Sequence, residues 1–63
     1  MTPADRESLQ ELLAHCRTTI YAYDTRIKAL RINDATDQAV AREQENRDRW
    51  ERWAKALAEI VSR

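Results

Sequence analysis

Seven apolar residues, Leu9, Leu13, Cys16, Ile20, Tyr23, Ile27 and Leu30, recur at spacings of four, three, four, three, four and three. That alternation is the seam of a coiled-coil-like helix packed against another helix. A strand sends successive side chains to opposite faces and cannot gather these residues on one side. The helix start is equally legible: Thr2 can cap, Pro3 suits the first helical position, and Asp5 sits where an acid complements the cap. The chain has no glycine and one proline, so Gly-rich phosphate loops and tight hairpin turns between strands lack the residues they need.

The seam would next fall on Asp34, inside Ile32-Asn33-Asp34-Ala35-Thr36-Asp37, and there the apolar pattern stops. This segment is read as a turn, with Asn33 taking the left-handed position of a helix C-cap and Asp34 or Thr36 capping a second helix. Charge supports the break. Residues 1–16 sum to −2, 17–31 to +3, 32–46 to −3 and 47–63 to +2, within a chain of net charge zero. Two helices, each acidic first and basic last, complement their own dipoles, whereas one long helix would place a basic and then an acidic block mid-span for no local reason. Folding back at the turn also lays each block beside one of opposite sign. The expected architecture is an all-α antiparallel hairpin, with helices over about 3–32 and 35–62, forming a single domain over 1–63. It places Tyr23 near Asn46, Ile20 near Arg49 or Trp50, and Cys16 near Trp53.

In the second helix the apolar residues collect at the ends, and 42–49 is a run of eight polar residues. Glu43 and Arg47, Glu45 and Arg49, Asp48 and Arg52, and Glu51 and Lys55 form acid-then-base pairs at the i,i+4 spacing, which keep a solvated helix together. A chain of this length buries only about 60% of the surface its unfolded form exposes, and two helices share one contact face. A single Cys16 offers no internal disulfide, so self-association is the expected source of further burial. The expected assembly is a homodimeric four-helix bundle or a higher helical oligomer. Its interface is assigned to Leu9, Leu13, Cys16, Ile20, Tyr23, Ile27, Leu30, Trp50, Trp53 and Leu57.

Chemistry has little to stand on. His15 and Cys16 are the only imidazole and thiol, and as sequence neighbours on a helix they point about 100° apart, which does not make a nucleophile and base. One His with one Cys falls short of a metal site, and nearly every acid has a base within a turn, unlike a carboxylate dyad. No enzyme activity, cofactor or metal is therefore expected. The absence of an apolar leader or membrane span points to a cytoplasmic protein, and Arg- and Ala-rich usage to a bacterium or its phage.

What remains is recognition. On the side of the first helix away from the seam, Tyr21, Lys28 and Ile32 share a stripe with no packing duty inside a bundle, and these are the candidate contacts for a heterologous protein. The leading expectation is a small homo-oligomeric interaction module that binds and modulates a partner protein as regulator, inhibitor or adaptor. The alternative is an RNA- or nucleotide-binding dimer that uses aromatic residues with Arg42, Arg47, Arg49 and Arg52 as phosphate contacts, although the interspersed acids argue for a solvated face.

Overall fold

A computed structural model describes all 63 residues as two helices in antiparallel contact, α1 (Pro3–Ile32) and α2 (Asp37–Val61), with no strand. The Thr2 hydroxyl accepts the Asp5 amide at 3.1 Å and the Thr36 hydroxyl accepts the Ala39 amide at 3.1 Å, so both helices begin on a threonine cap. Thr18, Thr19 and Thr25, poor residues for a helix interior, each turn their hydroxyl back onto the carbonyl four residues earlier.

The reversal is a Schellman turn built without glycine. The Ala35 amide donates to the Leu30 carbonyl at 2.9 Å and the Asp34 amide to the Arg31 carbonyl at 3.3 Å. Between them Asp34 adopts φ 56°, the only positive φ in the chain. The left-handed residue is therefore Asp34, not Asn33, which stays at φ −90° as the C-cap. The second helix accordingly starts at Asp37, two residues later than the sequence reading placed it, with Thr36 as its cap.

All seven seam residues of α1 are buried or half-buried, and their neighbours on the outer side of the helix are exposed. The seam faces α2. The register matches the expected pairing within two residues: Arg26 meets Glu43, Asp24 meets Arg47, and the Arg6 guanidinium donates to the Val61 carbonyl. Burial is thin all the same. Only Leu13, Cys16, Ile27 and Ala54 are buried, and three of them, Leu13, Cys16 and Ala54, form one cluster with Ile20, Trp50, Leu57 and Ala58 packed around it.

The shape explains the thin core. The Cα envelope measures 48 × 14 × 11 Å and the radius of gyration is 14.6 Å, against about 11 Å for a compact domain of this length. A folded monomer of this mass exposes about 4200 Å² by the general surface scaling, and this chain exposes 4915 Å². A single layer of two helices leaves roughly 700 Å² more in water than a compact protein of its size.

Candidate functional site

The two broad faces of the hairpin differ. On one, the open end near the termini carries an apolar groove of about 430 Å³ lined by Leu12, Cys16, Trp50, Trp53, Ala56 and Leu57. Its floor is Cys16, 2% exposed, and its lips are Leu12 at 47% and Trp53 at 48%. Ile60, one turn beyond Ala56 and Leu57, extends the same stripe and is also exposed. Trp53 meets Trp50 edge to face with ring centroids 5.0 Å apart, and His15 meets Trp50 in the same manner at 5.8 Å. These edge contacts orient both indoles and leave the outer side of Trp53 to solvent.

The opposite face is held by ions. Arg47 donates from Nε to Asp24 across the helix gap at 2.6 Å and from a terminal nitrogen to Glu51 one turn along α2. The Asp24 bond, chiefly, raises the Arg47 guanidinium above its ordinary pKa, Glu51 adds to that, and partial burial opposes it. On the groove's side of the hairpin, Arg26 reaches Glu43 at 3.0 Å and lies over the Tyr23 ring at 5.3 Å. Of the four expected i,i+4 pairs, only Glu51 with Lys55 forms, at 4.0 Å. Glu43 is drawn to Arg26, Arg47 turns to Asp24 and Glu51, and Asp48 accepts from Gln44 at 3.1 Å, because cross-helix partners compete with those on the same helix. The polar centre of α2 is thus half-buried and ion-paired against α1. Asn46 and Tyr23 are both half-buried, and no hydrogen bond joins them.

Toward the turn, a second depression of about 450 Å³ is lined by Asp24, Ile27, Lys28, Arg31, Ile32 and Gln44. Lys28 and Ile32 therefore share a concavity, with Tyr21 farther along the same stripe; Tyr21 is 74% exposed and Ile32 72%. Neither side chain makes a hydrogen bond or joins the buried cluster.

The residues singled out for association divide in two. Leu9, Leu13, Ile20, Tyr23, Ile27 and Leu30 are spent on the contact with α2, while Cys16, Trp50, Trp53 and Leu57 border the open groove. Leu12, Ala56 and Ile60 belong to the same surface and were not singled out by sequence. Leu12 was hidden beside Leu13, whose place in the heptad is unambiguous, and Ala56 and Ile60 within an apolar helix end. Among the candidate phosphate contacts, Arg47 is committed to three acids, since Asp48 also lies 3.5 Å away, whereas Arg42, Arg49 and Arg52 are exposed and make no ion pair. The Cys16 thiol lies in the apolar cluster and His15 against an indole, so the two are not arranged as nucleophile and base. No three His, Cys, Asp or Glu side chains are grouped to hold a metal ion, and neither helix is long and apolar enough to cross a membrane. Comparison with protein families, curated proteins and solved structures gives no match for this chain.

Proposed function

We propose that this protein is a cytoplasmic, non-enzymatic interaction module: a helical hairpin that self-associates and, through the outward stripe of Tyr21, Lys28 and Ile32, binds and modulates a partner protein. The observation that carries this reading is the distribution of apolar surface. Four residues are buried, while Leu12 and Trp53 stand exposed on one side and Tyr21 and Ile32 on another. Small monomers scatter exposed apolar residues singly, and contiguous patches mark contact surfaces. Leu12 and Trp53 lip one apolar groove, while Tyr21 and Ile32, eleven residues apart on the outer stripe of α1, flank Lys28 on another side, which suits two separate contacts, one with a like chain and one with a different protein. Aromatic side chains are also the favoured anchors of protein interfaces, and Lys28 beside Ile32 supplies a charge at the rim.

The test is affinity capture from lysate with wild-type protein, Tyr21→Ala and Ile32→Ala. The expected result is loss of a specific protein from both variants while their oligomeric state matches wild type. Capture that survives both substitutions refutes the stripe as the partner surface.

A second reading is favoured by one observation: Arg42, Arg49 and Arg52 lack acid partners and lie on the same helix as Trp53. It makes the module an RNA- or nucleotide-binding one. Purified protein would then carry absorbance at 260 nm, and its affinity for RNA would fall steeply with salt.

A further inference from the structure

We infer that the groove between Leu12 and Trp53 is the seat of a second copy of this chain, joined patch to patch about a two-fold axis with the two turns pointing to opposite ends. This inference rests on the reading that the chain self-associates, and adds where and how. The groove is apolar throughout its lining and opens on a face whose lips are half-exposed. The surface left over relative to a compact monomer, roughly 700 Å², is close to the 800 Å² or so that each partner buries in a standard stable interface. A second layer of helices over this face covers it and turns the half-buried Trp50 and Leu57 into interior residues.

A patch that recognises its own copy requires the symmetric, isologous arrangement. Two such arrangements place groove on groove. With the turns at the same end, the hairpins overlap along their full length. With the turns at opposite ends, they overlap only in their terminal halves. The charges decide between them. Seven residues apart, Arg42 and Arg49 return to nearly the same side of α2, and with Arg49 eleven residues before Ile60 and four before Trp53 they continue that stripe toward the turn. Neither has an ion-pair partner, and Arg26 nearby has its acid already in Glu43. Full overlap would press two sets of these arginines together. The opposed arrangement instead carries Arg42, roughly 18 Å from the groove's centre at 1.5 Å per residue, out of the overlap to where water reaches it, and staggers the two Arg49 copies by about 15 Å along the dimer.

Sedimentation over a range of concentration compares wild type with Leu12→Lys, Trp53→Lys and, as a surface control, Tyr21→Lys. The expected outcome is a wild-type dimer at micromolar concentration, a dissociation constant at least 100-fold weaker for the two groove variants, and an unchanged constant for Tyr21→Lys. Where a groove variant is also less helical, raising its concentration should restore helicity and dimer together; helicity that stays low at every concentration is set aside for the second measurement, which keeps both lips, Leu12 and Trp53, and changes only the buried floor residue to the similarly small alanine. Spin labels on Gln38→Cys in a Cys16→Ala background should lie about 50 Å apart across the dimer, since residue 38 is some sixteen helical residues from the groove's centre at 1.5 Å each. Dimers that persist undiminished in both groove variants overturn the seat while leaving self-association standing. A wild-type chain that stays monomeric at 100 micromolar overturns the self-association reading and this inference together. Label separations below about 30 Å overturn the opposed arrangement.

Discussion

Replacing Asp34 tests the turn, and with it the entire architecture, through the sign of the effect. In the hairpin, Asp34 sits at φ 56° with its amide bonded to the Arg31 carbonyl. A left-handed conformation costs an L-residue about 1–2 kcal/mol, part of which a short polar side chain recovers. Glycine removes that cost and gives back about 0.4–1 kcal/mol through the greater freedom of its unfolded chain. Asp34→Gly should therefore stabilise the fold by about 0.5 kcal/mol, while Asp34→Ala, which keeps the Cβ and loses the carboxylate, should destabilise it by a similar amount. Were residues 3–62 one unbroken helix, both signs would reverse: glycine would cost about 0.3–0.5 kcal/mol relative to Asp and alanine would gain about 0.5. The assay is thermal and urea unfolding followed by helical circular dichroism at one fixed chain concentration, because melting of an associating protein depends on concentration. Position 34 is remote from both the groove and the cluster around Cys16, so the pair of substitutions probes the backbone alone. An alanine variant more stable than the glycine variant would refute the hairpin.

Three other outcomes follow from the packing and the ion pairs. Leu13→Ala opens a cavity beside Cys16 and Ala54 and should cost about 2–3 kcal/mol in urea unfolding, the low end for a buried leucine because this core is open on one side. A cost below about 0.5 kcal/mol would show that the cluster does not hold the open end together. The Cys16 thiol should react with an exposed-thiol reagent only as fast as the hairpin opens, so that labelling accelerates in step with added denaturant; an immediate reaction in native buffer would contradict its burial. Arg47→Ala should destabilise by about 1 kcal/mol and Arg49→Ala by less than about 0.3, since only the former has acid partners and both lie in water-accessible surroundings. The pH profile of the Arg47 contribution has a definite sign. A raised folded-state pKa stabilises below the unfolded value and is lost as pH climbs through the folded one. Both values lie in the arginine range, so the wild-type minus Arg47→Ala difference should hold steady from pH 6 to 10.

Periodicity, capping chemistry and charge order were readable because each is a property of residues near one another in sequence. The 4-3 spacing of Leu9 to Leu30 marks the face that meets α2, and Thr2 with Pro3 marks the first turn. The turn was readable to within a residue and no closer: Asn33 is the better left-handed residue by type, yet the bond from Ala35 to Leu30 closes around position 34, so Asp34 takes the strain. The ion pairs depart from their i,i+4 spacing for the opposite reason. Glu43 and Arg47 are four apart on one helix and would pair in isolation, but the antiparallel contact brings Arg26 and Asp24 within reach of them and these win. The groove lay outside what spacing could reveal. Leu12 is a neighbour of a seam residue, and whether it becomes core or lip depends on how far the second helix reaches around the first.

The two ends of the hairpin are held by different forces, and that difference bears on how association and folding are coupled. At the turn, a Schellman closure, a threonine cap and the pairs of Arg47 with Asp24 and Arg26 with Glu43 add to the buried Ile27 and half-buried Leu30 of the seam. At the open end, the cluster around Cys16 is finished only on the side toward the partner helix, and Trp50 and Leu57 lie beneath a lip that water reaches. Apolar burial gained in a dimer accrues almost entirely there. Dilution should therefore loosen the open end first, and added salt, which screens exposed ion pairs but strengthens apolar contact, should loosen the turn end instead. Amide exchange at micromolar and nanomolar concentration would separate the two: protection around residues 9–16 and 54–61 should fall with dilution, whereas protection at 24–30 and 40–47 should follow ionic strength. Uniform loss of protection along both helices would mean that the ends do not differ in this way and that the chain opens as one cooperative unit.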